Sequence, residues 1–489
     1  VTEEKALFQV RLEKRRRLEE SGIRPYPTRF ERDRLAAEIT ERFDELEREK
    51  TLVAVAGRIL TIRRMGKASF AHLRDRSGDV QLYFRADILG EAAYEAWKQI
   101  EAGDLLGARG VLFRTKSGEI SIEVRSFEVL AKSLRPLPEK WHGLTNKETR
   151  YRQRYLDLIV NPDVQRAFRT RAAVVRSVRS FLDARGFLEV ETPILQPLYG
   201  GASARPFVTH HNALNLKLYL RIADELYLKR LIIGGLEKVY EIGKDFRNEG
   251  IDRTHNPEFT QLELYEAYAD FRDMMRLLED MLRSIALETL GGTAVSFGGK
   301  NADLSRPWKT VSFVDSLSER LGKDVLRAGE EELRAAVRES GGEAPADASR
   351  GALLDALFAA WIEPGIEAPT FVVDFPKEIS PLAKERHDRP GIVERFEPYL
   401  FGMEIGNAFS ELNDPIEQRA RFESQRLLRG KEREEAQQVD EDFLRALEYG
   451  MPPTGGMGVG IDRLSMIFAD QPSIRDVLFF PQLRPEGGE

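Results

Sequence analysis

The stretch Val239–Tyr268, VYEIGKDFRNEGIDRTHNPEFTQLELYEAY, constrains this chain more than any other. It reads as strand, polar loop, strand. Val239, Glu241 and Gly243 open an alternation that continues through Asp245, Arg247 and Glu249, and Phe259, Gln261, Glu263 and Tyr265 resume it after the segment 250–256. Side chains two apart on a strand share a face. Paired antiparallel, the two runs place a guanidinium, carboxylates, an aromatic ring and a phenol on one surface, where a structural sheet carries apolar groups. A surface hairpin with solvated charges is the bland alternative.

A chain of 489 residues is long enough for about three domains. With no Cys it holds no disulfide, thiolate zinc site or cysteine nucleophile, and no two of its six His make a His-x3-His or HExxH pair. Its first twenty residues are charged throughout, and no run of about 18 apolar residues occurs. These features predict a cytoplasmic enzyme or binding protein without a membrane span. The net charge of −7 excludes a uniformly basic surface. Even so, residues 131–185 carry 13 Lys/Arg against 5 Asp/Glu, and Lys14 to Arg17 form a second basic spot. Either is a place to hold a polyanion or a helix face of solvated ion pairs.

Residues 1–50 read as a helical extension, broken at Gly22, Pro25 and Pro27. Residues 51–133 read as five short Gly-separated strands with a helix between the third and fourth, the pattern of an OB-fold β-barrel. Such barrels stack single-stranded bases on exposed aromatics, and Phe70, Phe84 and Arg63 are candidates. A Pro-containing linker at 134–148 leads into residues 149–489. There FLEVETPILQP reads as a strand closed by Pro, and 270–370 as a mainly helical insertion. ERFEPYLFGMEIGNAFSEL reads as a hairpin turning near Leu400-Phe401, KEREEAQQVDED as a flexible loop, and PPTGGMGVGIDRLSMIFADQ as a Gly-rich strand entering a helix.

Two further blocks carry polar residues where a sheet core wants apolar ones. In the hairpin, Asn407, Phe409 and Glu411 alternate on one face. Glu397 and Glu404 lie about equally far from its turn and so could stand opposite each other, a repulsive pairing unless a cation lies between. Two carboxylates with phosphate oxygens make an ordinary Mg²⁺ environment. In GMGVGIDR, the glycines let backbone approach a ligand, and Arg463 begins a helix whose N-terminus favours anions. Neither a P-loop nor a GxSxG elbow is present.

Taken together, the strand ending at Pro193, FRNEG with HNPEF, and GVGIDR resemble the three signature motifs of class II aminoacyl-tRNA synthetases. The barrel is like that of the aspartyl, asparaginyl and lysyl subgroup. ARPFVTHHNAL, LYLRIADELYLKRL, THNPEFTQLELYEAYAD, MEIGNAFSELNDP and PPTGGMGVGIDR closely resemble the lysyl members. The resemblance implies an α+β chain, an N-terminal barrel followed by a catalytic domain on a mostly antiparallel sheet flanked by helices. It also implies a homodimer through the first motif, ATP as substrate, Mg²⁺, and ligation of L-lysine to tRNA(Lys) through an adenylate. By this resemblance Arg247 and Arg463 are catalytic. Arg247, Glu249, His255, Phe259, Glu397, Glu404 and Arg463 meet ATP, with Phe259 and Arg463 on the two faces of adenine, and Glu397 and Glu404 hold the metal. Gly201, Glu225, Arg247, Glu263, Tyr265, Asn407, Phe409 and Glu411 line the amino-acid pocket, and Arg63, Phe70, Gln81 and Glu119 meet a uridine-rich anticodon.

The pocket's chemistry is readable without the family. Glu225, Glu263 and Tyr265 suit an ammonium, since a buried charge needs a partner, and they should exclude the shorter cation ornithine less well than neutral analogues. The loop departs from the family pattern at one step: many bacterial relatives have Arg before the His of HNPEF, whereas this chain has Thr254 there and Arg253 one residue earlier. Which group meets the terminal phosphates stays open at this point. Two rivals also stand beside the ligase reading: a lysine-activating paralogue that modifies a protein, and a non-catalytic RNA-binding descendant.

Overall fold

The computed structural model describes residues 2–138, 144–425 and 439–485. Most of the connection expected at 431–442 and the middle of the linker expected at 134–148 lie outside the described residues. The chain divides into two compact units, residues 1–145 and 146–489.

In the first unit, β1 (Val53–Met65), β2 (Ala68–Arg74), β3 (Asp79–Arg85), β4 (Leu105–Arg114) and β5 (Ile120–Ala131) close into a barrel in the order β1-β2-β3-β5-β4. The helices Ala86–Leu89 and Glu91–Trp97 fill the connection between β3 and β4. The N-terminal helices share the barrel's core: Leu18, Ile39, Phe43 and Leu46 are buried in one cluster with Val55, Leu73 and Leu106. In the basic run, Lys14 pairs with Glu101 at 2.5 Å and Arg15 with Glu19 at 2.9 Å.

The second unit holds β6 (Leu188–Glu189), β7 (Leu195–Gln196), β8 (Val208–His211), β9 (Leu216–Leu220), β10 (Lys238–Phe246), β11 (Glu258–Ala267), β12 (Ala294–Phe297) and β13 (Lys300–Asp303). Then come β14 (Lys309–Ser312), β15 (Thr370–Pro376), β16 (Ile392–Leu400), β17 (Met403–Glu404), β18 (Gly406–Ser410) and β19 (Thr454–Gly460). Among the described residues the main sheet has nine strands, ordered β14-β15-β16-β18-β19-β11-β10-β6, with β17 on β16. It is antiparallel except at its ends, where β14 with β15 and β6 with β10 run parallel. On β11 and β19, Leu262, Leu264, Met457 and Val459 enter the central core, together with Val174 and Val178 of helix Pro162–Asp183 and Met274, Leu278 and Leu282 of helix Phe271–Leu290. The alternate residues of the same strands point to the opposite face.

Three sequence expectations change. The single strand expected over FLEVETPILQP is two two-residue strands, β6 and β7; Pro193 between them has no N–H to give a ladder. The segment 270–370 is mainly helical, as expected, but it does not stand apart as an insertion. Phe271–Leu290 lies in the central core and β14 is an edge strand of the main sheet, while the cluster built by helices Phe313–Leu321, Glu330–Glu339 and Arg350–Trp361 continues into Val372 and Tyr399 of the sheet. In the basic segment 131–185 many charges are internally paired: Lys132 with Asp104 at 2.5 Å, Arg150 and Arg154 with Asp157 at 2.8 and 2.7 Å, and Arg179 with Glu189 at 2.9 Å.

Phe84, a stacking candidate from sequence, is core. It is 0% exposed and stacks on Trp97 with ring centroids 3.6 Å apart. Phe70 lies half-buried on β2 instead. Phe84→Ala is expected to destabilise the barrel by about 3–5 kcal/mol and Phe70→Ala by under about 1.5 kcal/mol, measured by urea unfolding followed through tryptophan fluorescence. Equal losses would place both rings in the core.

Candidate active site

The site stands on the polar face of β10, β11, β19 and β18. Register sets Glu241 opposite Glu263, Gly243 opposite Gln261 and Asp245 opposite Phe259. Glu263 in turn faces Gly458 and Tyr265 faces Gly456, with Asn407 and Phe409 beyond those same glycines. The mixed charged and aromatic face expected from the sequence is therefore present. Its first strand is shorter, because β10 ends at Phe246. Arg247 N–H still donates to Pro257 O at 2.8 Å, but Pro257 has no N–H to return, so Arg247 and Glu249 belong to the loop.

The glycines of β19 are steric requirements. A Cβ on Gly456 would stand 2.0 Å from Glu411 Oε1 and 2.5 Å from the Tyr265 ring; one on Gly458 would stand 2.4 Å from Glu263 Oε1 and 2.6 Å from Gln261 Nε2. The functional side chains lie flat across a bare strand. Gly201 serves similarly: at φ +85°, a Cβ there would come within 3.0 Å of Ala223 Cβ and 3.2 Å of Glu225 Cβ.

A cavity of about 490 Å³ gathers Gly201, Glu225, Arg247, Glu249, His255, Phe259, Glu263, Tyr265, Glu397, Glu404, Asn407, Phe409, Glu411 and Arg463. Every active-site residue expected from the sequence lines it. At the inner end, Glu263 accepts from Tyr265 Oη at 3.0 Å and from Gln261 Nε2. Burial, then the charges of Glu225 and Asp245, push the Glu263 carboxyl up to about 8. Burial likewise raises Glu225 and Glu411, while Lys229 opposes the rise in both. Glu411 is 1% exposed and its Oε1 receives no hydrogen bond.

At the outer end the Arg247 guanidinium lies 5.0 Å from the centre of the Phe259 ring. Arg463 donates to the backbone O of Glu404 at 2.5 Å and pairs with its carboxylate at 3.3 Å, and its other nitrogen is 3.1 Å from His255 Nε2. The loop folds on Asp252, which accepts the backbone N–H groups of Thr254 and His255 at 2.6 and 2.8 Å and faces His255 Nδ1 at 2.8 Å. Burial pushes Asp252 upward, but these bonds prevail and hold its carboxyl down at about 2. Thr254 lines the cavity, whereas Arg253 is exposed and does not.

Glu397 and Glu404 are not directly opposite, as their distance from the turn suggested. Tyr399 pairs with Glu404, and Glu397 lies two residues further along β16, diagonally across the same face. The two-residue turn Phe401-Gly402, with φ of 56° and 76°, sets this register. Burial, with repulsion from Glu404, brings the Glu397 carboxyl to about 8, although Arg395 donates to it at 2.6 Å.

Sequence reasoning missed Arg395, Gln261, Asp252 and Lys229. Arg395 binds Asn407 Oδ1 at 2.9 Å as well as Glu397. Lys229 pairs with both Glu225 and Glu411. Its signal was the i, i+4 spacing from Glu225 on a helix.

On the barrel, Arg63 faces Phe70 across β1 and β2, and Phe70 stacks on Tyr83 of β3 with centroids 4.5 Å apart. Gln81 donates to Glu119 at 2.6 Å, and His72 meets the same carboxylate at 2.9 Å. The four expected residues form one face, to which Tyr83 and His72 are additions.

Residues 146–484 match the family model of class II tRNA synthetases (D, K and N), and 53–130 match that of the OB-fold nucleic acid binding domain. The chain belongs to the class II tRNA synthetases. Among curated relatives, the lysine–tRNA ligase of Moorella thermoacetica is 56% identical over 485 residues, covering 99% of both chains. The lysine–tRNA ligase of Syntrophomonas wolfei is 54% identical, covering 99% of this chain and 98% of that protein; that of Roseiflexus castenholzii is 55% identical, covering 98% and 99%. In this synthetase, Gly458→Ala is expected to lower kcat/KM for amino-acid activation at least about 100-fold, because an ångström of misplacement at a reacting site has that effect. Amino-acid-dependent exchange of diphosphate into ATP measures it; activity within threefold of the parent would show that Glu263 and Gln261 need not lie across β19.

Proposed function

We infer that this chain ligates L-lysine to tRNA(Lys) with ATP, through a lysyl-adenylate. The observation that carries this reading is the acidic inner pocket. Glu225, Glu263 and Glu411 converge there, and Glu411 Oε1 is buried without a donor. These three carboxylates share one buried ammonium, Lys229, which pairs with Glu225 and Glu411; buried acceptors left without donors are costly, and a substrate ammonium supplies a second cation and donors. Aspartate or asparagine would bring a carboxylate or neutral amide to the same oxygens.

The substrate's own carboxylate attacks the α-phosphorus of ATP in line and diphosphate leaves. The Arg247 guanidinium neutralises charge developing on the α-phosphoryl oxygens, while Phe259 and Arg463 sandwich the adenine. His255, braced through Asp252, stands beside Arg463, and Thr254 is the neighbouring loop side chain that lines the cavity. Glu397 and Glu404 fit Mg²⁺ when phosphate oxygens complete its shell, since two carboxylates on one face repel without a cation; the ion would offset phosphate charge. The adenylate's lysyl group then passes to a terminal ribose hydroxyl of the tRNA, whose anticodon stacks on Phe70 and Tyr83.

A homodimer through the segment around β6 and β7 belongs to this reading, supported by exposed Leu188, Ile194, Leu195 and Leu198. Among the described residues no helix is long and apolar enough to cross a membrane, and a cytoplasmic location accords with the tRNA substrate.

Diphosphate exchange and charging of total tRNA, each with all twenty amino acids, test the function. Lysine alone should drive both, and Phe70→Ala should weaken charging at least about tenfold while sparing exchange. Exchange driven by aspartate or asparagine would overturn the reading, and lysine-dependent exchange without tRNA charging would favour the protein-modifying paralogue.

Lysine binding should also depend on pH. Glu263, at about 8, is protonated at neutral pH in the free protein, and an arriving ammonium favours its ionised form. Binding therefore releases a proton below pH 8, and Kd falls by up to about tenfold per unit from pH 6 to 8 before levelling off. Titration calorimetry in buffers of different ionisation enthalpy measures the release; tighter binding at lower pH would contradict it.

A further inference from the structure

Lys229 lies beneath the amino-acid end of the cavity and touches neither ATP nor the reacting atoms in the proposal above. It projects from the helix Glu225–Ile233 and its side chain is 0% exposed. Its ammonium donates to Glu225 Oε1, one turn earlier, and pairs with Glu411 just beyond β18. It stands 5.3 Å from the centre of the Phe409 ring. The titratable groups around this knot are Glu225 on its own helix, Glu411 after β18, Glu263 and Tyr265 on β11, and Arg395 on β16, whose charge reaches Glu225.

Two carboxylates converging in a site closed to water cannot both stay ionised unaided. One would take up a proton, and both would be free to turn away. A fixed ammonium between them removes the repulsion and sets their spacing. Because Lys229 approaches from below, the oxygens on the cavity side remain for a ligand, Glu411 Oε1 among them. Gly201 and Gly456 close in on the same two carboxylates from other sides, so their positions are determined from several directions.

We propose that Lys229 is a positioning residue: an internal cation that holds Glu225 and Glu411 at the spacing that receives the substrate's side-chain ammonium. The proposal rests on the lysine reading of the pocket. It makes Lys229 a determinant of affinity for the amino acid and of discrimination by side-chain length, with no part in handling ATP. Relaxed carboxylates would follow a shorter side chain inward, so ornithine would gain relative to lysine when Lys229 is removed.

The test is steady-state diphosphate exchange on the full chain with Lys229→Met, Lys229→Arg, Glu411→Gln and the double variant Lys229→Met/Glu411→Gln. Exchange by the unaltered protein with lysine, aspartate and asparagine first checks the pocket reading; failure with lysine sinks that reading and this proposal together. Given lysine activity, Lys229→Met should raise KM for lysine at least about tenfold, with KM for ATP and kcat within about threefold, and should lower the lysine-to-ornithine ratio of kcat/KM. Lys229→Arg should restore part of the loss. The double variant should lose less than the product of the two single losses, because removing one carboxylate relieves the charge left unpaired. The proposal is overturned if KM for lysine and ATP rise together, if kcat alone falls, or if the two losses simply multiply. A Lys229→Met protein that fails to fold transfers the decision to Lys229→Arg, for which an unchanged KM and an unchanged ornithine ratio would overturn it.

Discussion

A sheet covered on both faces can carry charge on one of them only where each charge meets a partner or a ligand. The catalytic sheet satisfies this rule by dividing its strands. Leu262, Leu264, Met457 and Val459 enter the hydrophobic core, while Gln261, Glu263, Tyr265, Gly456 and Gly458 meet the cavity. The period of two along β11 and β19 makes both faces inevitable once the register is set. A slip of one residue would exchange Leu262 and Glu263, burying a carboxylate in the core and exposing leucine to the ligand. Fold stability and site geometry are thus fixed by one pairing.

Charge in the site is graded from one end to the other. The inner end is acidic and its acids are raised by burial; the outer end holds Arg247, Arg463 and His255. A substrate that is cationic at its tip and carries a carboxylate nearer the mouth, beside a polyanionic nucleotide, matches that order. Arg395 links the regions by binding both Asn407 and Glu397, so the amino-acid and metal-side groups share one rigid donor.

Much of this was legible in the sequence because strand alternation projects directly onto a face. Asn407, Phe409, Glu263 and Tyr265 could be placed by counting. What escaped were interactions between elements distant in the chain. Lys229 meets Glu411 across 182 positions (411 − 229), and periodicity on a helix gives the near partner, Glu225, but not the far one. The diagonal offset of Glu397 and Glu404 escaped for a related reason: register in a hairpin depends on the turn's φ angles, which composition does not specify. Phe84 was misplaced because an aromatic on a barrel strand points inward or outward according to parity: Phe70 pairs with Tyr83, so Phe84, one residue on, stands on the opposite face, and that register is a pairing between strands which neither strand shows alone. The limits of the insertion within 270–370 were misjudged because Phe271–Leu290 serves the central core and short β14, in the main sheet, carries little pattern.

The shared core of the barrel and the N-terminal helices bears on where this protein can be cut. The family model for the nucleic-acid module starts at residue 53, yet Leu18, Ile39, Phe43 and Leu46 supply part of the wall that closes the barrel's interior. A boundary drawn by homology at residue 53 passes through a packed interior rather than a joint. As an exchangeable building block, the module is larger than its recognisable sequence: it includes at least the chain from Leu18 onward, and a graft that kept only the barrel strands would carry an open hydrophobic wound to its new host.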